Sequence, residues 1–181
     1  MKRQSENGAK WLARLEHPKG PAFVAYQDTG GIWTIGFGAT FWSATRKVQR
    51  GDTLQNLQEA LELYRAQCRE FSNYASSYIP DEIEDTLTDP QFDALVSLCY
   101  NAGPGNLRKS PVLAAILRKA PDTKIAELWR GTCIHNAKGE YDKGIVARRY
   151  CEAVAWQRGE YIEQGQALRE MRERWKAGQA V

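Results

Sequence analysis

Residues 23–38, FVAYQDTGGIWTIGFG, constrain the fold more than any other stretch of the chain. Aromatic and β-branched residues on either side of a Gly-Gly pair read as two short strands, 23–26 and 32–37, joined by a tight turn. Beyond residue 52 the apolar residues follow helical spacing instead. A hairpin near the start followed by helices predicts an α+β fold. A small N-terminal lobe, residues 1–52, holds the hairpin or sheet, and a larger all-helical lobe, 53–181, completes a single domain.

The helices have readable ends. Ser5 caps the first, Glu6 suits its positive first turn, and Ala9, Leu12 and Ala13 form its inner stripe. That helix must stop near Glu16, because Pro18 follows. Asp52 or Thr53 opens a long helix carrying Leu54, Leu57, Leu61, Tyr64 and Cys68, which Pro80 closes. The acidic DEIEDTLTD is a solvated connection or a short helical turn. Asp89 reads as the cap of the helix PQFDALVSLCYNAG, whose Phe92, Leu95, Val96, Cys99 and Ala102 share a face. It is the most apolar helix and belongs at the centre of the core. Shorter helices follow over 111–119, 121–130 and 145–157, and a strongly charged one ends the chain.

Composition removes several classes of function. With 43% hydrophobic and 26% charged residues, the 181-residue chain is no disordered tail. A net charge of +3 with interleaved signs suits an anionic polymer without calling for nucleic acid. The opening MKRQSENGAK has charge but no apolar segment behind it, and no run reaches the length of a membrane span. The expectation is cytoplasmic synthesis, no export signal and no stable membrane insertion. Cys68, Cys99, Cys133 and Cys151 are far apart, and His17 and His135 are the only histidines. That spacing argues against zinc or a disulfide framework, so the cysteines are expected as buried thiols and no metal is expected.

The turn raises a chemical possibility. If its loop is 29–31, Asp28 stands opposite Ile32 and Thr34 shares the face of Asp28, roughly 7–8 Å away at the backbone. A carboxylate and a hydroxyl so spaced can hold one water between them. A two- or four-residue loop would put them on opposite faces. Glu16 lies at a helix C-terminus, where the dipole disfavours a carboxylate's charged form, so in a cleft it can serve as a proton donor. A protonated acid facing a water-holding carboxylate is the minimum apparatus of an inverting glycosidase. The simpler reading makes Glu16 a solvated helix end, Asp28 a turn former and Thr34 a strand filler. Residue physics alone leaves both open.

A resemblance favours the first. VAYQDTGGIWTIGFG is similar to the segment that follows the catalytic glutamate in phage-type lysozymes, glycoside hydrolase family 24. Ala25, Tyr26, Asp28, Gly31, Trp33, Thr34, Ile35, Gly36 and Gly38 match that pattern position by position. QFDALVSLCYNAGPG and KGIVARRYCEAVAWQRGEY resemble two further motifs of the family, so the likeness spans about residues 12–161. Two departures stand out. HPK intervenes between Glu16 and Gly20, where the family has Glu-Gly, and Gly38-Ala39 stands where it has Gly-His. The first reads as a three-residue insertion that leaves Glu16 in place; Glu6, a whole helix upstream, is the competing acid. The second is expected to have only a structural consequence.

The resemblance implies a lysozyme-like fold and a muramidase acting on the β-1,4 bond between N-acetylmuramic acid and N-acetylglucosamine of peptidoglycan, without a cofactor. Carried over, Glu16 is the general acid, Asp28 orients or deprotonates the attacking water, and Thr34 positions that water. Tyr100 and Asn101 match positions lining the saccharide cleft, with helix-end packing as their plainer role. Arg148 matches an arginine that pairs with the catalytic glutamate, and Arg149 is the reserve, since neighbours on a helix point about 100° apart. Such a pair would oppose the helix-end effect on the acid. The expected setting is phage-mediated host lysis by a monomer made in the cytoplasm and released to the periplasmic wall by a separate holin. A virion-associated hydrolase or a bacterial antagonism effector would use the same domain. A lytic transglycosylase and a catalytically silent wall-binding module are the rivals from other classes.

Overall fold

The computed structural model of the chain describes residues 1–28, 30–43, 45–135 and 139–179. Helix α1 (Glu6–Glu16) starts where expected, with the Ser5 hydroxyl accepting from the Gly8 amide at 2.9 Å. It ends at His17, directly before Pro18. Its buried face carries Trp11 and Leu15 besides Ala9, Leu12 and Ala13, and Trp11 Nε1 donates to the Ile162 carbonyl at 2.8 Å.

Strands β1 (Ala22–Gln27) and β2 (Trp33–Gly36) pair antiparallel, with Tyr26 opposite Thr34, Gln27 opposite Trp33 and a register shift toward Ala22. The Asp28 amide donates to Ile32 O at 3.0 Å, which closes a three-residue loop. Gly31, at φ +75°, supplies the left-handed position such a loop ends on. Thr29 lies outside the described residues. A second small hairpin follows, β3 (Phe41–Ser43) with β4 (Arg46–Lys47).

The long helix starts later than expected. Residues 52–54 run beside β1 instead, through Ala25 N to Asp52 O at 2.9 Å and Leu54 N to Phe23 O at 2.8 Å. The Asp52 carboxylate accepts from Trp42 Nε1 at 2.7 Å, from the Gln49 amide at 3.0 Å and from Arg46, so it braces the second hairpin rather than capping a helix. Asn56 caps α2 (Leu57–Ser77) by accepting from the Glu59 amide at 3.0 Å. The inner stripe turns accordingly: Ala60, Leu63, Tyr64 and Cys68 are buried, Leu57 is exposed and Leu61 only half-buried.

A short helix, α3 (Asp81–Glu84), occupies the acidic segment, with Glu84 turned inward. Helix α4 (Asp89–Ala102) is capped by Thr88, one residue before the expected Asp89, because Thr88 and Gln91 form a reciprocal capping box. Every residue from Phe92 to Cys99 is inaccessible to solvent, so α4 is the central helix, as its composition implied. Then come α5 (Pro104–Lys109), a helix absent from the sequence reading, α6 (Pro111–Leu117) and α7 (Asp122–Gly131). Helices α8 (Lys143–Arg158) and α9 (Gln164–Lys176) complete the set. Helix α8 packs on both α4 and α7, and α4 packs on α1 and α2. Each large apolar side chain sealed among them contributes roughly 1.5–3 kcal/mol. Cys68, Cys99 and Cys151 are buried as expected, whereas Cys133 is half-exposed.

Candidate active site

The packing of α8 between α4 and α7 decides which of its two successive arginines faces α1. Arg148, 3% exposed, donates from Nη1 to Oε1 of the partly exposed Glu16. Its Nη2 reaches the Ser97 carbonyl and hydroxyl, both at 3.2 Å, and its Nε reaches Glu152 Oε1 at 3.3 Å. Arg149 points away, to Glu152 Oε2 and to the Asn101 side-chain oxygen. Burial works against both guanidinium charges. For Arg148 the Glu16 and Glu152 carboxylates outweigh it and hold the pKa above its ordinary value. For Arg149 burial, aided by repulsion from Arg148, prevails over Glu152 and the pKa falls.

The hairpin brings Asp28 and Thr34 to one face, since the three-residue loop sets Asp28 against Ile32 and Thr34 against Tyr26. Asp28 Oδ1 accepts from the Gly30 and Ile32 amides at 2.8 and 2.9 Å. Nothing among the described residues bonds to its Oδ2. Thr34, 4% exposed, donates to the Ile32 carbonyl at 3.0 Å, which leaves its oxygen lone pairs to accept. No hydrogen bond among the described residues joins Glu16 to Asp28 or Thr34. Glu6 stands apart from all of this, exposed and paired with Lys10 at 2.8 Å.

Tyr100 lines a groove of about 770 Å³ between the second hairpin and α2, along with Trp42, Gln67 and Phe71. Its ring packs on Phe71 and Tyr64, with centroids 5.0 and 5.8 Å away. Burial, then the nearby Glu16 charge, pushes its phenol well up. Asn101 is exposed and occupied by Arg149, so its visible task is to anchor that guanidinium. Sequence reading missed Glu152 and Ser97, which hold the arginines, and the groove-lining Trp42 and Phe71. The only signal for Glu152 was its place three and four residues past two arginines, where one helix face brings such charges together. In the other departure, Ala39 is buried while the inserted His17 rests against Phe37 and over Gly38.

This α+β fold, a small hairpin region beside a helical bundle, is that of the lysozymes. The chain belongs to the phage lysozyme family, whose match runs over residues 18–152 and so begins just past Glu16. It is similar to the SAR-endolysin of Escherichia phage N15, 31% identical over 96 residues, 50% of this chain and 48% of that protein. The chain thus matches about half the length of that relative. The endolysin of Salmonella phage P22 is 32% identical over 113 residues, 62% of this chain and 72% of that one. A crystal structure of a P22 lysozyme mutant superposes with a TM-score of 0.72 at 26% identity, covering 86% of this chain and 99% of that one.

Proposed function

We propose that the chain is a muramidase that hydrolyses the β-1,4 bond from N-acetylmuramic acid to N-acetylglucosamine in peptidoglycan. The protonated Glu16 carboxyl gives its proton to the glycosidic oxygen as the bond to the muramic anomeric carbon breaks. A water held by Asp28 and Thr34 attacks that carbon from the opposite face, giving a proton to Asp28, and the configuration inverts. Tyr100 and the groove beside it hold the glycan. The observation that carries this reading is the pairing of Glu16 with buried Arg148, together with a hairpin whose register puts Asp28 and Thr34 on one face.

Digested peptidoglycan tests it. Mass spectrometry should find reducing muramic ends, with the α anomer formed first by NMR. Anhydromuramic ends, lighter by one water, would make the protein a transglycosylase, and an initial β anomer would make Asp28 a nucleophile.

The endolysins among its relatives support a role in host lysis. Helix α1 is part of the packed core, with Lys10 and Arg14 exposed on its outer side. We propose that release depends on a separately encoded holin, with action on the periplasmic wall as a monomer. Cells expressing this chain alone should lyse only after chloroform or a co-expressed holin. Prompt lysis blocked by a secretion inhibitor would overturn the holin route.

A further inference from the structure

We propose that Glu152 and Arg149 are positioning residues that together set how strongly Arg148 acts on the proton of Glu16. This rests on reading Glu16 as the general acid. The four groups form one chain of alternating charge, Arg149, Glu152, Arg148 and Glu16, and the first three are 0–3% exposed. Glu152 divides its carboxylate between the arginines, Oε1 to Arg148 Nε and Oε2 to Arg149 Nη1, and the Ser97 hydroxyl locks Oε1 at 2.6 Å. Ser97 also fixes Arg148 Nη2, so Nη1 is left aimed at Glu16.

Arg148, Arg149 and Glu152 are shut away from water, so their charges reach further than at a surface, while Glu16 is partly exposed. Glu152 draws on Arg148 and weakens its pull on Glu16, while Arg149 neutralises much of Glu152. The charge acting on Glu16 is therefore a balance of three buried groups. Tyr64 and Cys68 of α2 and Tyr100 of α4 also face Glu16, and burial above all holds all three neutral, with the Cys68 thiol pushed up to about 12. Cys133 and Cys151, beside Glu152, are raised in the same way. His17, the next residue after Glu16, is common to every variant compared.

Opposite shifts are the signature. Glu152→Gln leaves two cations acting on Glu16, so its proton is lost more easily and the alkaline limb of the pH–activity profile should move down by about 1 pH unit. Arg149→Gln leaves Glu152 free to offset Arg148, and the limb should move up by about 0.5–1 unit. The double variant removes one charge of each sign and should return the limb to within about 0.3 unit of the parent. Carboxyl carbon NMR of Glu16 follows the same proton without turnover, and circular dichroism verifies the fold of each variant. Single variants that leave the titration unmoved, or move it in the same direction, would overturn the proposal. So would failure of all three to fold, because the pair would then be a requirement of the fold itself. A parent protein that lyses no wall would instead sink the muramidase reading, and the NMR titration would still judge this one.

Discussion

Arg148, buried on α8, donates to the carboxylate of Glu16 at the end of α1, across 132 residues of chain. The pair ties the acid to the helical core and sets its direction. Glu16→Gln should abolish wall lysis, since no proton remains to give. Its amide oxygen can still accept from Arg148, which also keeps Glu152, so the stability cost should be about 1–2 kcal/mol. Glu6→Gln should lyse normally. Turbidity assays and thermal melts read both, and the reverse pattern would move the acid to Glu6.

Thr34→Val separates the hydroxyl from the fold. The Ile32 carbonyl that Thr34 occupies also accepts from the Asp28 amide, so it is not orphaned. Stability should fall by no more than about 1 kcal/mol, whereas activity should drop about 100-fold or more if the hydroxyl holds the water. Wall lysis near the parent rate would strip Thr34 of that role.

Gly8 lies against a buried carboxyl. A Cβ there would come within 2.1 Å of Asp93, which is held by the Ser5 amide and hydroxyl and by the Tyr161 hydroxyl. Alanine gains about 1 kcal/mol in helix propensity, but the clash should dominate and leave Gly8→Ala destabilised by about 1–3 kcal/mol. A rise in the denaturation midpoint would show that Asp93 can yield.

Glu84 predicts an acid-sensitive N-terminal clamp. Burial opposes its charge, but the Ser76 hydroxyl, the Lys2 amide and the Met1 ammonium outweigh it and hold its carboxyl below the ordinary range. A depressed folded value means the stabilisation is present above the unfolded value of about 4.3 and disappears as pH falls through the folded one. Melting temperature should decline below that pH in the parent and less steeply in Glu84→Gln. Parallel curves would contradict the assignment.

Burial raises the Cys68, Cys99 and Cys151 thiols to about 12, and none is accessible. At pH 8 a thiol reagent should react quickly with no more than Cys133 in the native protein, and with all four after denaturation. Two or more fast thiols in the native state would refute the packing around α4 and α8.

Local chemistry settled what is local. Ser5 as a cap, the halt before Pro18, and the apolar face of Phe92, Leu95, Val96 and Cys99 each follow from a few adjacent residues, whereas the length of the loop after Asp28 stayed open until the hairpin's hydrogen bonds fixed it at three residues. The hairpin sequence also carried the likeness to phage lysozymes, because a hairpin that displays Asp28 beside Thr34 needs its glycines in fixed positions. Long-range packing decided the rest. Residues 52–54 look like a helix start, yet they pair with β1 and hand the cap to Asn56. Arg148 and Arg149 are alike in local chemistry, and although the family likeness favoured Arg148, it is the seating of α8 against α4 that turns it toward Glu16 and Arg149 toward Asn101. Glu152 reads as an ordinary helix-surface acid until that same seating buries it between two guanidinium groups. Direction and burial belong to the assembled helices, and they decide which charges feel one another.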